Sequence, residues 1–277
     1  MQLIVFSKML QQKSIAELID LAQRHGYDGY DLAVRPGHPV NPGNAAAALP
    51  EAQAQMTQAG LRIGMVTGNF DLLTADHPLA EPLLAAMDTA DVRLLKLGYF
   101  RFEPATMDYW AQVDDVRRAF AAWEKLASIY NVKVCYHTHS HYCMGLNAAA
   151  LMHLLRDFDP ALLGAYLDPG HFAVDGEPFD FGLAMARDYL SILSMKDVLI
   201  ERVAKNGHGA VRTHWVPAGE GMVDWTAVFA ELRRIDYDGY VSIHCEYDID
   251  EDEDWHGTFV REVAFFRGMR GDGGEWE

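Results

Sequence analysis

Positive charge is scarce in this sequence: 23 lysines and arginines stand against 40 aspartates and glutamates, a formal net charge of -17 over 277 residues. A surface of that sign repels phosphate backbones and anionic lipid headgroups. It argues against nucleic acid and membrane as main partners, while leaving small anions that are held locally. Cysteine is scarce too. Cys135, Cys143 and Cys245 are odd in number and two of them fall inside expected strands, so no disulfide framework is implied and a reducing, cytoplasmic setting fits. No stretch reaches the roughly 18 uninterrupted apolar residues of a membrane span. The opening MQLIVFSKML also lacks the basic region and small-residue cleavage site of a secretory leader. Apolar mass, by contrast, is plentiful: 50% of the residues are hydrophobic and 11% aromatic, a composition that packs into a core.

The apolar residues form short β-rich runs that alternate with longer helical patterns, as in βα units wrapped around a parallel sheet. Strands are expected at 3–7, 29–34, 62–68, 93–99, 133–139, 163–168, 190–196 and 240–246. Helices are expected at 14–25, 44–59, 78–90, 108–130, 147–157, 178–188, 224–235 and 254–269. Eight of each predict a single-domain (β/α)8 TIM barrel over residues 1–270, with a flexible tail at 271–277. Ser14 with Glu17 reads as a capping box, and Gly26 and Gly60 sit where helix C-caps belong. Irregular stretches at 35–43, 100–107 and 198–223 all follow strands, where barrel enzymes build their sites. The acidic run of Asp248, Asp250, Glu251, Asp252, Glu253 and Asp254 reads as carboxylates gathered before a helix N-terminus rather than a cation site. Trp110, Trp123 and Trp225 read as packing between helices and barrel.

Strands that are otherwise apolar turn polar in their last residues. Lys96, His137, His139, Asp168, Lys196, His244 and Glu246 all follow that rule. Ionisable groups are rarely buried without partners, so so many at one rim predict a shared polar site, with a structural ion-pair network as the alternative. Cys135, His137, His139 and His141 alternate along one face of the fifth strand, with His141 reading as strand or loop, and this face offers a metal ligand, a general base or both. In LDPGH, Asp168 ends a strand and His171 lies in the turn that follows; in SMKDV, Lys196 enters the barrel while Asp197 braces the rim. His244 and Glu246 share a face, and Cys245 points into packing. Arg35, Arg101, Arg212 and His214 come from long βα loops and read either as contacts for hydroxyl, carboxylate or phosphate groups or as solvated surface. Glu220 is a site contact or a loop brace. Asp31, Thr67 and Lys96, at earlier strand ends, are candidate substrate contacts.

The motifs YDGYDLAVRPG at 27–37, LDPGH at 167–171, MKD at 195–197, VPAGEGMVDW at 216–225 and YDGYVSIHCEY at 237–247 occur in this order. In them the chain resembles the sugar phosphate isomerase/epimerase group of the xylose-isomerase-like superfamily, over roughly residues 3–268. The resemblance implies a divalent metal held by Glu, Asp, His and Glu from strands five to eight, with the glutamates moving a substrate proton. Here those positions read His137, Asp168, Ser194 and His244, and Glu246 offers a carboxylate two residues further on. A set of His137, Asp168, His244 and Glu246 suits Zn, Mn or Fe better than Mg. No organic cofactor is implied. The expected activity is isomerisation or epimerisation of a sugar, or of a sugar-like polyol or keto acid, through an enediolate. Glu246 or a pocket histidine acts as base, a metal or Lys196 meets the oxyanion, and His139 and His171 orient the substrate. Two alternatives remain open: a non-catalytic sugar-sensing barrel, and the endonuclease-like branch of the superfamily, which the charge disfavours. A homodimer is a further implication of the resemblance.

Overall fold

The computed structural model describes residues 1–248 and 254–271. Seven parallel strands come first: β1 (Gln2–Phe6), β2 (Gly29–Ala33), β3 (Arg62–Thr67), β4 (Leu94–Lys96), β5 (Lys133–His137), β6 (Leu163–Leu167) and β7 (Leu190–Met195). A hairpin of β8 (Asp197–Lys205) and β9 (His208–Val216) follows, and then β10 (Tyr240–Ile243) closes the barrel by pairing with both β7 and β1. The helices are α1 (Ile15–His25), α2 (Ala45–Gln58), α3 (Ala80–Thr89), α4 (Tyr109–Tyr130), α5 (Ala148–Leu155), α6 (Pro169–Asp175), α7 (Phe179–Ala186), α8 (Trp225–Arg234) and α9 (Trp255–Arg270). The chain is thus a single-domain TIM barrel.

Its strands are buried on both faces, as parallel strands sheathed by helices must be. Residues turned outward, such as Leu3, Val5, Leu193 and Val241, join the large core under the helices. Those turned inward, Ile4, Met65, Cys135, Tyr166 and Ile192, fill the barrel axis. Gly29 shows how tightly β2 meets β3: its φ is +148°, and a Cβ there would lie 1.8 Å from the carbonyl oxygen of Arg62. Ser14 and Glu17 close the capping box of α1, and Gly26 ends that helix in the left-handed conformation.

The structure departs from the sequence expectation in four places. Most of the stretch 198–223, expected to be irregular, is the antiparallel hairpin, paired from Asp197 with Val216 to Lys205 with His208. Its tip is Asn206-Gly207 with φ of +49° and +81°, the turn chemistry that Asn-Gly favours between strands. His171 lies not in a turn but in α6, whose first residue is Pro169 and whose N-cap Asp168 accepts from the His171 N–H. β5 ends at His137 rather than at 139, so His139 as well as His141, whose φ is +65°, lies in the loop that follows. Trp110 is 60% exposed, whereas Trp123 and Trp225 are buried as expected.

Asp254 caps α9, while residues 250–253 of the acidic run and residues 272–277 of the expected tail lie outside the described residues. Cys135, Cys143 and Cys245 are buried free thiols. Among the described residues no helix is long and apolar enough to cross a membrane.

Asp197 anchors the segment that returns from the hairpin to α8. One carboxylate oxygen accepts from the N–H groups of Val198 (2.8 Å) and Val223 (3.1 Å). The other accepts from Gly219 (2.9 Å), Gly221 (3.3 Å) and the Trp225 indole (2.9 Å). Truncation would leave several buried donors unpaired at about 1–3 kcal/mol each. Asp197→Ala is therefore expected to destabilise the protein by about 3 kcal/mol or more, read as a lowered urea midpoint. A midpoint equal to that of wild type would mean that other contacts hold this loop.

Candidate active site

A cleft of about 400 Å³ opens at the C-terminal ends of the strands. Phe6, Lys8 and Arg35 line one side, Lys96, Tyr99, His137 and His139 the next, and Lys196, Trp215, His244 and Glu246 close it. Parallel closure sends every strand end to this mouth, which is why residues spread from position 6 to position 246 meet here.

Asp168, wholly buried at the end of β6, faces two imidazoles. Its Oδ2 lies 3.2 Å from His137 Nε2 and 3.8 Å from His171 Nε2, yet these three buried atoms make no hydrogen bond. His171 Nδ1 accepts from the Ser140 N–H (3.2 Å) and contacts the Ser140 hydroxyl (2.8 Å). The neutral ring therefore carries its proton on Nε2, turned toward Asp168. His137 Nδ1 lies 2.7 Å from the Tyr99 hydroxyl. Desolvation, reinforced for His137 by Lys96, holds both imidazoles well below the usual histidine range and keeps them neutral. His139 packs in tilted contact against His171, with ring centroids 4.1 Å apart, and against Tyr99 at 4.3 Å. Burial lowers its pKa to about 4, so it presents a neutral ring to the cleft.

Across the mouth, Glu246 pairs with Lys8 and with Lys196, whose Nζ lies 3.2 Å away. Burial by itself would raise the Glu246 pKa, but Lys196, His244 and Lys8 together hold it far below the usual carboxylate range. The Lys196 ammonium also sits 4.0 Å over the Trp215 ring, which the hairpin delivers to the cleft. His244 reaches Glu246 through Nδ1 (3.3 Å) and the Tyr166 hydroxyl through Nε2 (2.8 Å). Tyr166 in turn donates to Asp31 (3.1 Å), which also accepts from Thr67 (2.6 Å) and Ser242 (3.4 Å). Asp31 and Thr67 thus lie in the floor beneath the cleft rather than in its wall, and burial raises the Asp31 pKa.

Lys96 and Arg35 do line the cleft, both buried. Four other candidates are not brought there. Arg101 is exposed and bonds the His141 carbonyl, Arg212 and His214 lie on the hairpin within 4 Å of Glu201, and Glu220 is exposed on its turn. The hairpin carries its own outer residues away and sends Trp215 inward instead. Sequence reasoning missed Phe6, Lys8, Tyr99, Tyr166 and Trp215. Tyr166 was legible as an inward position two residues before Asp168; Tyr99 lies past the end of β4, and Trp215 lies in β9, a hairpin strand that the sequence reading took as an irregular loop.

The four-residue metal set does not close around an ion. His244 has both nitrogens engaged by Tyr166 and Glu246, and Glu246 is held by two ammonium groups that would repel a dication. Where an imidazole ligand is expected, Ser194 offers only a buried, unpartnered hydroxyl. His171 cannot take over, because its Nε2 carries the proton while a ligating histidine presents a lone pair there and donates from its other nitrogen. Among the described residues no group of three or more His, Cys, Asp or Glu is arranged to hold a metal ion.

A closed parallel barrel with ionisable strand ends in one polar mouth defines a class of small-molecule enzyme folds. Residues 19–269 match the family model described as xylose isomerase-like TIM barrel, and the chain belongs to that family. It is similar to inosose dehydratase from Halalkalibacterium halodurans, 27% identical over 134 residues that cover 45% of this chain and 43% of that one. The matched stretch is therefore less than half the length of that relative. In fold it is similar to the solved 3-keto-D-glucoside 4-epimerase of E. coli, with a TM-score of 0.73, 18% identity, and coverage of 97% of this chain and 99% of that one. The IOLI protein with a bound zinc atom superposes with a TM-score of 0.71 at 16% identity, covering 98% and 97%.

The depressed Glu246 pKa fixes the sign of a pH effect. Its ion pairs stabilise the fold fully above the unfolded carboxylate value of 4.5, and that contribution is lost as pH falls below it toward the folded value. In denaturant titrations the stability of wild type relative to Glu246→Gln is expected to be constant above about pH 5.5 and to shrink steadily below about pH 4.5. A difference that does not change with pH would show that these pairs contribute nothing to stability.

Proposed function

We propose that the protein is a proton-transfer enzyme acting on a sugar or on a sugar-like polyol or keto acid, and that it isomerises or epimerises this substrate through an enediolate. The observation that carries this reading is the Glu246 carboxylate, ionised at neutral pH and held in the cleft wall by Lys8, Lys196 and His244. Glu246 takes the proton from the carbon next to the substrate carbonyl, and the Lys196 ammonium stabilises the oxyanion that forms. As the substrate oxygen draws Lys196 away, Glu246 loses a counter-charge and becomes a stronger base. Neutral His139 hydrogen-bonds a substrate hydroxyl, and His171, packed against it, holds its ring in place. Reprotonation at the neighbouring carbon isomerises; return to the other face of the same carbon epimerises. No step is assigned to a metal, because the residues present do not fit one.

Dehydration is the second reading, favoured by the similarity to an inosose dehydratase. It shares the first step: the same enediolate expels a β-hydroxyl, which leaves with a proton as water.

Both readings require exchange of a carbon-bound proton. Incubation in deuterated water with ketoses, inososes and small keto acids is expected to give deuterium incorporation by NMR for at least one of them. Glu246→Gln should slow that exchange by about a hundredfold or more. A sugar-sensing barrel would instead bind a compound of the panel with no exchange and no product, and that result would sink the enzyme reading.

A further inference from the structure

Two cations in the cleft stand apart from the Glu246 cluster. Lys96 is 3% exposed and Arg35 is 7% exposed. Lys8 and Lys196 both pair with Glu246, but among the described residues neither Lys96 nor Arg35 forms an ion pair. Their direct contacts are with neutral groups, and Asp31 and Glu246 act on both only from beyond ion-pair distance. Arg35 donates from Nε to the Gly68 carbonyl (3.1 Å), and its guanidinium lies 4.2 Å from the Phe70 ring centroid and 5.5 Å from that of Phe6. The Lys96 ammonium lies 3.9 Å over the Tyr99 ring.

Burying two like charges side by side without a directly paired counter-ion is costly, and the usual remedy is a carboxylate in contact. Here the nearby carboxylates are committed elsewhere. Asp31 accepts from Thr67, Tyr166 and Ser242, and Glu246 from two other lysines. What remains on the free side of both cations is the cleft itself.

We infer that Arg35 and Lys96 form an anion subsite, which takes one carboxylate or phosphoryl group of a sugar-derived substrate. This deepens the proposed function by naming the substrate class, and it rests on reading the cleft as the substrate site. A neutral sugar would leave both charges uncompensated; a planar or tetrahedral oxyanion meets the guanidinium fork and the ammonium together.

Proton linkage supplies an independent signature. Burial first, and Arg35 second, lower the Lys96 pKa to about 7, against the opposing pull of Asp31, Glu246 and Cys143. Tyr99 and His137 also face it, the phenol held protonated and the imidazole neutral by burial. A bound anion offsets both lowering effects, so binding takes up a proton above pH 7 and the affinity falls as pH rises through that range.

Calorimetric titration of the full chain with pyruvate, inorganic phosphate and, as a neutral comparison, fructose tests the inference. At least one anion is expected to bind more than about tenfold tighter than fructose, and Lys96→Gln and Arg35→Gln should each weaken it by about tenfold or more. The preference between pyruvate and phosphate tells a carboxylate from a phosphoryl site. Pyruvate does not titrate near neutrality, so its binding carries the pH test: affinity should drop from about pH 6.5 to about pH 8.5, and Lys96→Arg should bind with that slope removed. Lys96→Gln deletes an uncompensated buried charge and is expected to melt no lower than wild type; a large fall would assign Lys96 to the fold and overturn the inference. Binding of neither anion, or binding unchanged in both glutamine variants, would overturn it too. Deuterium exchange on neutral ketoses without anion binding would sink the subsite alone, and anion binding without exchange on any substrate would sink the proton chemistry alone.

Discussion

Eight parallel strands closing on themselves leave the ionisable residues at their C-terminal ends nowhere to go but one desolvated mouth. The chemistry of the site follows from that crowding. Charges that would be solvated on an open surface must here find partners, change protonation or wait for a ligand. The described groups do all three. Glu246 is neutralised by Lys8 and Lys196, His137 and His171 stay uncharged beside Asp168, and Lys96 and Arg35 form no ion pair among the described residues.

The mouth is thereby opposite in sign to the molecule. Over the whole chain acidic residues exceed basic ones by 17, while the cleft lining holds Lys8, Arg35, Lys96 and Lys196 against Glu246 and Asp248. A cationic recess in an acidic body discriminates against extended polyanions, which meet the outer surface first, and accepts small ones that reach the mouth. The outer charge and the inner charge thus select for ligand size.

The departures from the family's ligand pattern act together. Replacing a carboxylate by His137, an imidazole by Ser194 and a second carboxylate by His244 removes most of the negative charge that a dication needs. The same region holds the Lys196 ammonium, close to Glu246 and covered by Trp215. The hairpin matters for that reason: it brings the indole that shields the ammonium from water, and Asp197 ties the hairpin's return to the barrel rim.

The barrel was legible in the sequence because its period is local: eight short apolar runs, each buried on both faces, alternate with helical stripes. The rim residues Lys96, His137, Asp168, Lys196, His244 and Glu246 were legible for the same reason, since the end of a strand can be read from where apolarity stops. The hairpin was missed although Asn206-Gly207 marks it, because its strands are largely exposed and charged residues break up their apolar pattern. Which candidates meet was a tertiary decision. Arg35 enters the cleft while Arg212 turns away, although both read as loop arginines, because packing against Phe6 and Phe70 draws one inward and the ribbon carries the other outward. Sequence alone determined the barrel and the direction in which its strand ends point. Only the tertiary structure decided which charges pair, which stay unpaired and which nitrogen of His171 bears the proton, because those outcomes depend on distances of a few ångströms between residues far apart along the chain.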